Sequence, residues 1–247
     1  MKIKNPYPDL EHREFPKTFL KDAEFSVKFS PICSLNSFHA LIVPFVKNHF
    51  NTDIELSTDS QANNLNLFSE GNHVNFNFNV QGVSVKIRGQ YYSSYETTVA
   101  EFIKIILQYL KAMPLKPKIE SIRVNKINLY NITSKNLYEE MGDIFKNNFK
   151  GVIFSGLEGI RLSPTPYPLN ISREINEIIE NNINNKIQLS IGIDEKSLLI
   201  NLGFVSETRC DEIEDIEETF KILNLITYHD MISSIGESII EIMEDKN

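Results

Sequence analysis

Three arginines fall on segments that we predict to be β-strands, and their side chains are well suited to bind an anion. Arg88, Arg123 and Arg161 each lie in a stretch where polar and apolar residues alternate. A guanidinium that projects from a strand into a groove can hold a carboxylate or a phosphate through two parallel hydrogen bonds. The pattern predicts a site for a small anionic ligand, such as a nucleotide.

Histidine and aspartate are adjacent once, at His229 and Asp230. Metal phosphohydrolases carry such pairs, but they need further histidines and aspartates on other helices, and no convincing set is present. His39 and His49 are nearly three helical turns apart, about 15 Å, which is too far for one ion. We therefore predict no metal site, and expect His229 to be a half-buried helix histidine or a partner contact.

Patterns typical of nucleotide-binding loops and of catalytic nucleophiles are also missing. The chain has neither a P-loop nor a GxGxxG motif, and no GxSxG elbow accompanies its serines. Cys33 precedes a predicted helix, where the helix dipole would stabilise a thiolate, although a buried inert thiol is the simpler interpretation. The acidic run at 210–218 suits the start of a helix. We predict no catalytic residue and no cofactor, and we favour a protein that is not an enzyme.

The segment "HVNFNFNVQGVSVKIRG" alternates strictly between apolar and polar residues. In two paired strands, its valines and phenylalanines would lie on one face, and Asn75, Asn77, Asn79, Lys86 and Arg88 on the other. An antiparallel sheet that is covered on one side leaves the other side in contact with water. The polar face is then either a solvent-exposed face with no binding role or a recognition surface in which Lys86 and Arg88 bind the partner.

Composition limits the classes of partner. The chain has 247 residues and a formal net charge of −8, with an isoelectric point of about 5.2. An acidic chain does not favour nucleic-acid binding, which needs clustered lysines and arginines. No stretch reaches the roughly 20 apolar residues of a membrane span. No apolar signal segment precedes the first prolines, and two cysteines are too few for a disulfide framework, so we expect a cytoplasmic protein.

Periodicity and breakers predict strands and helices along most of the chain. The predicted strands are 23–30, 64–70, 73–80, 82–90, 121–133, 186–194 and 197–205, with a short strand pair at 151–164. The predicted helices are 34–50, 93–113, 134–149, 171–183 and 212–244, the last bent near 233–236.

These elements read as strand, helix, strands, helix, twice over. We predict an α+β fold with an extended arm at 1–20, a first half at 21–116 and a second half at 117–247. The two halves would pack closely against each other and could form one domain. Two antiparallel sheets, or one continuous curved sheet, would carry the helices on a single face. This order of elements resembles the saddle of the TATA-box-binding fold. The apolar surface of the last helix would serve either its own core or a dimer.

Three stretches resemble a sporadically distributed bacterial family of about 250 residues that has no assigned function. They are "FPKTFLKDAEFSVKFSP", "SIRVNKINLYNI" and "ILNLITYHDMISSIGESI". The family's central strand carries an arginine followed by an asparagine, which fall on Arg123 and Asn128. Its closing helix carries a leucine and a histidine, which fall near Leu225 and His229. The resemblance implies a bacterial or phage-borne protein with a link to defence or mobile elements.

Two functions from different classes remain open. We predict a non-catalytic binding or accessory protein that recognises a protein partner through the polar sheet face or the C-terminal helix. The alternative is an enzyme or sensor that binds a small anionic ligand through its strand arginines.

Overall fold

One antiparallel sheet organises the chain. The computed structural model describes residues 3–31, 55–58, 64–69, 73–113, 116–134, 136–157, 170–179, 182–194 and 197–245. Within them nine strands form a single sheet in the order β2-β3-β4-β5-β1-β6-β9-β8-β7. The strands are β1 Leu20–Phe29, β2 Glu55–Thr58, β3 Asn64–Phe68, β4 Val74–Asn79, β5 Gly82–Arg88, β6 Ile119–Thr133, β7 Asn170–Ile179, β8 Ile183–Asp194 and β9 Ser197–Thr208.

The strand order has the symmetry of a duplicated plan. The first strand of each half, β1 or β6, lies at the centre of the sheet, and the two pair with each other. The last strand of each half, β5 or β9, lies on the outer side of its own first strand, and the earlier strands follow outwards in reverse order. The predicted α+β fold with a duplicated plan is confirmed, as one continuous sheet.

Within the described residues, four α-helices pack on one face of this sheet. They are α1 Ala100–Ala112, α2 Leu137–Asn148, α3 Ile216–Ser234 and α4 Glu237–Glu244. A π-helical turn, Tyr95–Val99, precedes α1 and is capped by Ser94, whose hydroxyl accepts the Thr97 N–H. Alternation along the strands drives the packing, since every second side chain of β1 from Ala23 to Phe29 is buried. Burying each such side chain contributes roughly 1.5–3 kcal/mol.

The covered side of the sheet holds two separate apolar cores. The first lies between β1, β3, β4 and β5 and the helices α1 and α3, where Phe25 contacts Phe220 edge-on. The second lies between β8 and β9 and the helices α2 and α4. Helix α3 spans both, because Ile216 to Ile226 pack in the first core and Met231 and Ile232 against the second. The middle of α3 therefore lies at the junction of the two halves.

The last helix ends and restarts where the sequence predicts a bend. Ile235 leaves the helical conformation to form a β-bridge with Phe149, and the Gly236 N–H donates to the Asn148 carbonyl oxygen at 2.7 Å. Most apolar residues of α3 and α4 lie in the chain's own cores, whereas Ile242 is 49% exposed. The apolar surface on which the dimer prediction was based is therefore largely buried within the chain itself. Dimerisation stays a prediction.

The segment predicted as a helix at 171–183 is instead the edge strand β7, so that prediction is wrong. Its isoleucines recur at intervals of four residues, which suits a helix but is also a multiple of the strand period of two. Ile171, Ile175 and Ile179 therefore share the covered face and pair with β8. Ile178, the odd member of the helical pattern, is 74% exposed.

Smaller differences concern the loops. The short strand pair predicted at 151–164 is not formed at its start, where Val152–Phe154 make a 3-10 turn after Gly151, whose φ is +89°. Strand β2 has no counterpart in the prediction, and helix α2 begins three residues after Ser134, the predicted cap. The predicted helix at 34–50 lies outside the described residues. None of the described helices is long and apolar enough to cross a membrane.

The N-terminal arm, residues 3–19, crosses the helical layer in an extended conformation. The Tyr7 ring stacks on His229, and His12 lies against the ring of Tyr228. Further along, the Lys17 N–H donates to the Met243 carbonyl oxygen at 3.2 Å. The arm thus spans the junction between the two cores.

Gly89 follows β5 where the chain passes close to the start of β1. A Cβ at this position would overlap the Leu20 carbonyl group. We expect Gly89→Ala to lower the free energy of unfolding by about 3 kcal/mol or more, because backbone atoms must move. The matched control is Gly203→Ala on β9, whose Cβ would meet Gln188 at an ordinary 3.7 Å. Urea unfolding of both variants checks this, and equal stabilities would contradict the packing described.

Candidate functional site

The polar side of the sheet, here called the underside, carries the side chains that point away from the described helices. It includes Asn66, Asn75, Asn77 and Asn79, then Ser84, Lys86 and Arg88, then Asp22, Glu24 and Ser26, then Arg123 and Asn125, and finally Glu207, Lys186 and Glu174. No described element packs on this face.

The underside asparagines bind one another across strands. The Asn77 amide donates to Asn66 Oδ1 at 2.6 Å, and the Asn79 amide donates to Asn77 Oδ1 at 2.9 Å. Asn79 Oδ1 also accepts the Gln81 N–H in the β4–β5 turn. These bonds give the asparagine row a structural role, since cross-strand pairs stabilise a sheet. Asn75 differs, because its Oδ1 is buried and has no hydrogen-bond partner among the described residues.

Charges on the underside are largely compensated within the sheet. Lys86 Nζ lies 3.1 Å from Asp22 Oδ2, and Lys186 Nζ lies 3.1 Å from Glu174 Oε1. Hydrogen bonds from Asn176 and then Gln188 and Lys186 lower the pKa of Glu174 to about 2. Lys86, predicted as an anchor for a partner, already has an anionic neighbour.

The predicted arginine site is not assembled on the described residues. Arg88 pairs in register with Asp22, and Arg123 pairs with Ser26, four residues further along β1. Their Cα atoms are therefore offset by roughly 13 Å along the strands and by two strand spacings, about 10 Å, across them. Arg123 also lies opposite Glu207 of β9. Arg161 lies outside the described residues.

A different set of polar groups converges on the covered side of the sheet, in a cavity of about 50 Å³. This midline cavity lies beneath the arm, where β6 passes between the two cores. That volume holds about three or four water-sized groups. Its lining includes His12, Arg13, Tyr92, Lys126, Asn128, Tyr228, Met231 and Met243.

Lys126 is placed in the cavity by the alternation of β6. It shares the covered face with Ile122 and Val124, and it is 5% exposed. Its Nζ lies 4.9 Å from the centroid of the Tyr92 ring, which gives a cation–π contact. No carboxylate of the described residues forms an ion pair with it. Because burial penalises the ammonium form, the pKa of Lys126 is lowered to about 7.

Two more groups in the cavity lack partners. Asn128, two residues along the same face of β6, is 1% exposed, and neither of its amide atoms has a hydrogen-bond partner among the described residues. His12 Nδ1 is likewise buried and unpaired. Burial, and then the nearby Lys126, lower the pKa of His12 to about 4. Buried polar groups are nearly always hydrogen-bonded, so this cluster is unusual.

A satisfied polar network lies beside the cavity on α3. The Asn185 amide donates to Asp230 Oδ2 at 2.7 Å, and the Ser206 hydroxyl donates to Asn185 Oδ1 at 2.8 Å. His229 is partly buried, lies 3.5 Å from Asp230 Oδ1 and stacks on Tyr7 with ring centroids 3.9 Å apart. Burial raises the pKa of Asp230. This network fastens the arm and β8 to α3.

Sequence reasoning missed Lys126 as a site residue, although a signal was present. In "SIRVNKINLYNI" the polar residues 126 and 128 have the same parity as Ile122, Val124 and Tyr130. A strict alternation places all five on one face. Of the two residues matched to the family resemblance on this strand, Arg123 lies on the underside and Asn128 in the midline cavity.

Comparisons with known proteins give a likeness of fold alone. No family model matches the chain, and no curated protein matches its sequence. Among solved structures, a TBP of Methanococcus jannaschii is similar at 13% identity and a TM-score of 0.31, over 85% of this chain and 97% of that one. This similarity carries no inference about what the chain binds.

The buried Lys126 should lower the free energy of unfolding near neutral pH. Above about pH 7 the folded chain releases its proton, whereas the unfolded chain keeps it to about pH 10.5, so the free energy of unfolding should rise with pH between them. We expect Lys126→Met to stabilise the protein by about 2–4 kcal/mol at pH 7. It should also remove the part of the pH dependence of unfolding that is due to Lys126.

Denaturant unfolding between pH 7 and 9 measures this effect. The control is Lys86→Met, which removes an ion pair whose lysine is exposed and should change stability by about 1 kcal/mol or less. A Lys126→Met protein that is less stable than wild type at pH 7 would show that the ammonium has a favourable environment.

Proposed function

We propose that the protein binds a small monocarboxylate in the midline cavity, with Lys126 as its counterion. One observation carries the proposal: a buried lysine without an anionic partner among the described residues lines a cavity together with an unpaired amide. Burying an ammonium ion is costly unless an anion and hydrogen bonds compensate it. A carboxylate supplies the anion and accepts a hydrogen bond from Asn128.

The cavity's size and donors define the ligand class. A volume of about 50 Å³ limits the ligand to a very small organic acid and is far too small for a nucleotide. Among the lining donors, Arg13 is paired with Glu244 and the Tyr92 hydroxyl donates to Asn224. Lys126 and Asn128 therefore match a singly charged carboxylate better than a phosphate dianion. Met231 and Met243 provide an adaptable apolar wall for a short alkyl group.

The arm is suited to admit and cover the ligand. It is held by the ring contacts of Tyr7 and His12 with α3, and by two exposed ion pairs, Arg13 with Glu244 and Lys17 with Asp245. Exposed pairs contribute only about 0–1 kcal/mol each. Local opening of the arm breaks these pairs and the two ring contacts, and it costs less than unfolding of the cores beneath it.

Binding of lactate and of its neutral amide, lactamide, tests the proposal. We expect lactate to raise the melting temperature, since a ligand at 100 times its Kd adds about 2.7 kcal/mol, and lactamide to have little effect. Because the bound form needs the ammonium, Kd should increase roughly tenfold per pH unit above about pH 7. Calorimetric titration at several pH values measures it.

Variants complete this test. Lys126→Met should abolish the lactate effect, and Lys86→Met on the underside should retain it. Equal stabilisation by lactate and lactamide, or lactate binding by Lys126→Met, would contradict the assignment.

A second candidate function is the one favoured from the sequence: non-catalytic recognition of a protein partner by the underside. It is supported by Arg88 and Arg123, which are exposed and make no ion pair with another described residue. An acidic segment of a partner protein would complement them. Bacterial or phage origin and a role in defence remain predictions from the family resemblance.

Charge reversal separates this second function from the first. A partner recovered from the native host should bind wild type and Lys126→Met equally, and should be lost with Arg88→Glu and Arg123→Glu combined. Recovery measured by quantitative mass spectrometry decides. Unchanged recovery with the reversed charges would exclude the underside.

A further inference from the structure

We propose that Lys126 forms an imine with a small 2-oxo acid bound in the midline cavity. The inference rests on the proposed function, because the same cavity holds the carboxylate. It adds a covalent step and narrows the ligand from monocarboxylates in general to those with a neighbouring ketone or aldehyde.

The surroundings of Lys126 favour an amine nucleophile. An unprotonated amine attacks carbonyl carbons, and desolvation in an apolar pocket is one way proteins obtain it. The titratable groups that line the cavity with Lys126 are His12 and Arg13 from the arm, Tyr92 before α1 and Tyr228 from α3. None is a carboxylate that would hold the proton on nitrogen. The pKa of about 7 follows from this burial.

Asn128 supplies the orientation. It lies two residues from Lys126 on the same face of an unbroken strand, so the two Cα atoms are about 7 Å apart. Its amide is unpaired and can donate to a carboxylate oxygen. In a 2-oxo acid the carbonyl carbon is bonded directly to the carboxylate carbon. A carboxylate held by Asn128 therefore presents its keto carbon towards the neighbouring lysine.

The chemical step balances without any other reagent. The Lys126 ammonium that pairs with the carboxylate first releases a proton to solvent. Its Nζ lone pair then forms the N–C bond while the carbonyl π electrons move to oxygen, giving a carbinolamine after a second proton passes from nitrogen to oxygen. His12, whose unpaired Nδ1 is buried beside the cavity, is placed to relay that proton. The C–O bond then breaks as the hydroxyl takes up a proton and the nitrogen lone pair forms the C=N bond. One water leaves, the remaining N–H proton replaces the one taken up, and the imine remains.

Reductive trapping with pyruvate is the direct experiment on the full chain. Pyruvate with cyanoborohydride should convert the imine into a stable secondary amine and add one 1-carboxyethyl group to the peptide that contains Lys126. We expect Lys126 to react at least tenfold faster than any other lysine, with saturation in pyruvate and competition by lactate. Peptide mass spectrometry locates and counts the groups.

The controls separate this inference from the proposed function. Lactate has the carboxylate but no ketone, so it should stabilise the protein without labelling it. Stabilisation by lactate with no preferential labelling of Lys126 by pyruvate would overturn the imine and leave the binding function standing. Absence of both effects would overturn both proposals. Lys86→Met should label as wild type does, and labelling spread evenly over surface lysines would also overturn the imine.

Discussion

The period of two along a β-strand decides where the polar groups of β6 lie. From Ile122 to Thr133 this strand pairs with β9 without a shift of register. Its pairing with β1 is regular from Ser121 to Ile127 and then shifts, because Asp22 pairs with Ile127 and Leu20 with Asn128. The extra residue at this shift lies on β1, so β6 keeps its alternation, and a strand that buries Val124 also buries the lysine two residues later. Desolvating an ammonium is unfavourable by several kcal/mol. The surrounding cores impose that conformation, and the local interactions of Lys126 do not favour it.

The duplicated plan explains why the cavity lies at the midline. The strands of each half lie under a separate core, and the first core also includes Ile122, Val124 and the start of α3 from the second half. The two cores leave a seam above the central strands β1 and β6. Helix α3 bridges the seam with apolar side chains at both ends and polar ones in its middle, where Asp230 is bound by Asn185. The N-terminal arm then closes the seam through Tyr7 and His12. A site of this kind needs both halves and the arm, so it belongs to the whole fold.

Local patterns predict the parts of the fold that depend on local physics. The alternation around Asn77 predicts β4 and its exposed face, and the small residues near Gly236 predict the break before α4. The same reasoning failed at β7, because a spacing of four residues satisfies both periods and only pairing with β8 decides between them. The site was harder to predict. The parity of Lys126 is visible in the sequence, but its burial depends on the arm and α3, which are about 100 residues distant in either direction. The arginine site was predicted from side-chain chemistry alone. The strand register, which places Arg88 far from Arg123, could not be read from the sequence.

The underside and the cavity use polar residues in opposite ways. On the underside, amides such as Asn77 and Asn79 bind each other, and Lys86 has Asp22 beside it. In the cavity, Lys126 and Asn128 are buried without such partners among the described residues. The ionisation of Lys126 is therefore the central claim, and an NMR titration of its side-chain amine, assigned with Lys126→Met, measures it directly. The account predicts a pKa near 7, and a value near the ordinary 10.5 would contradict it.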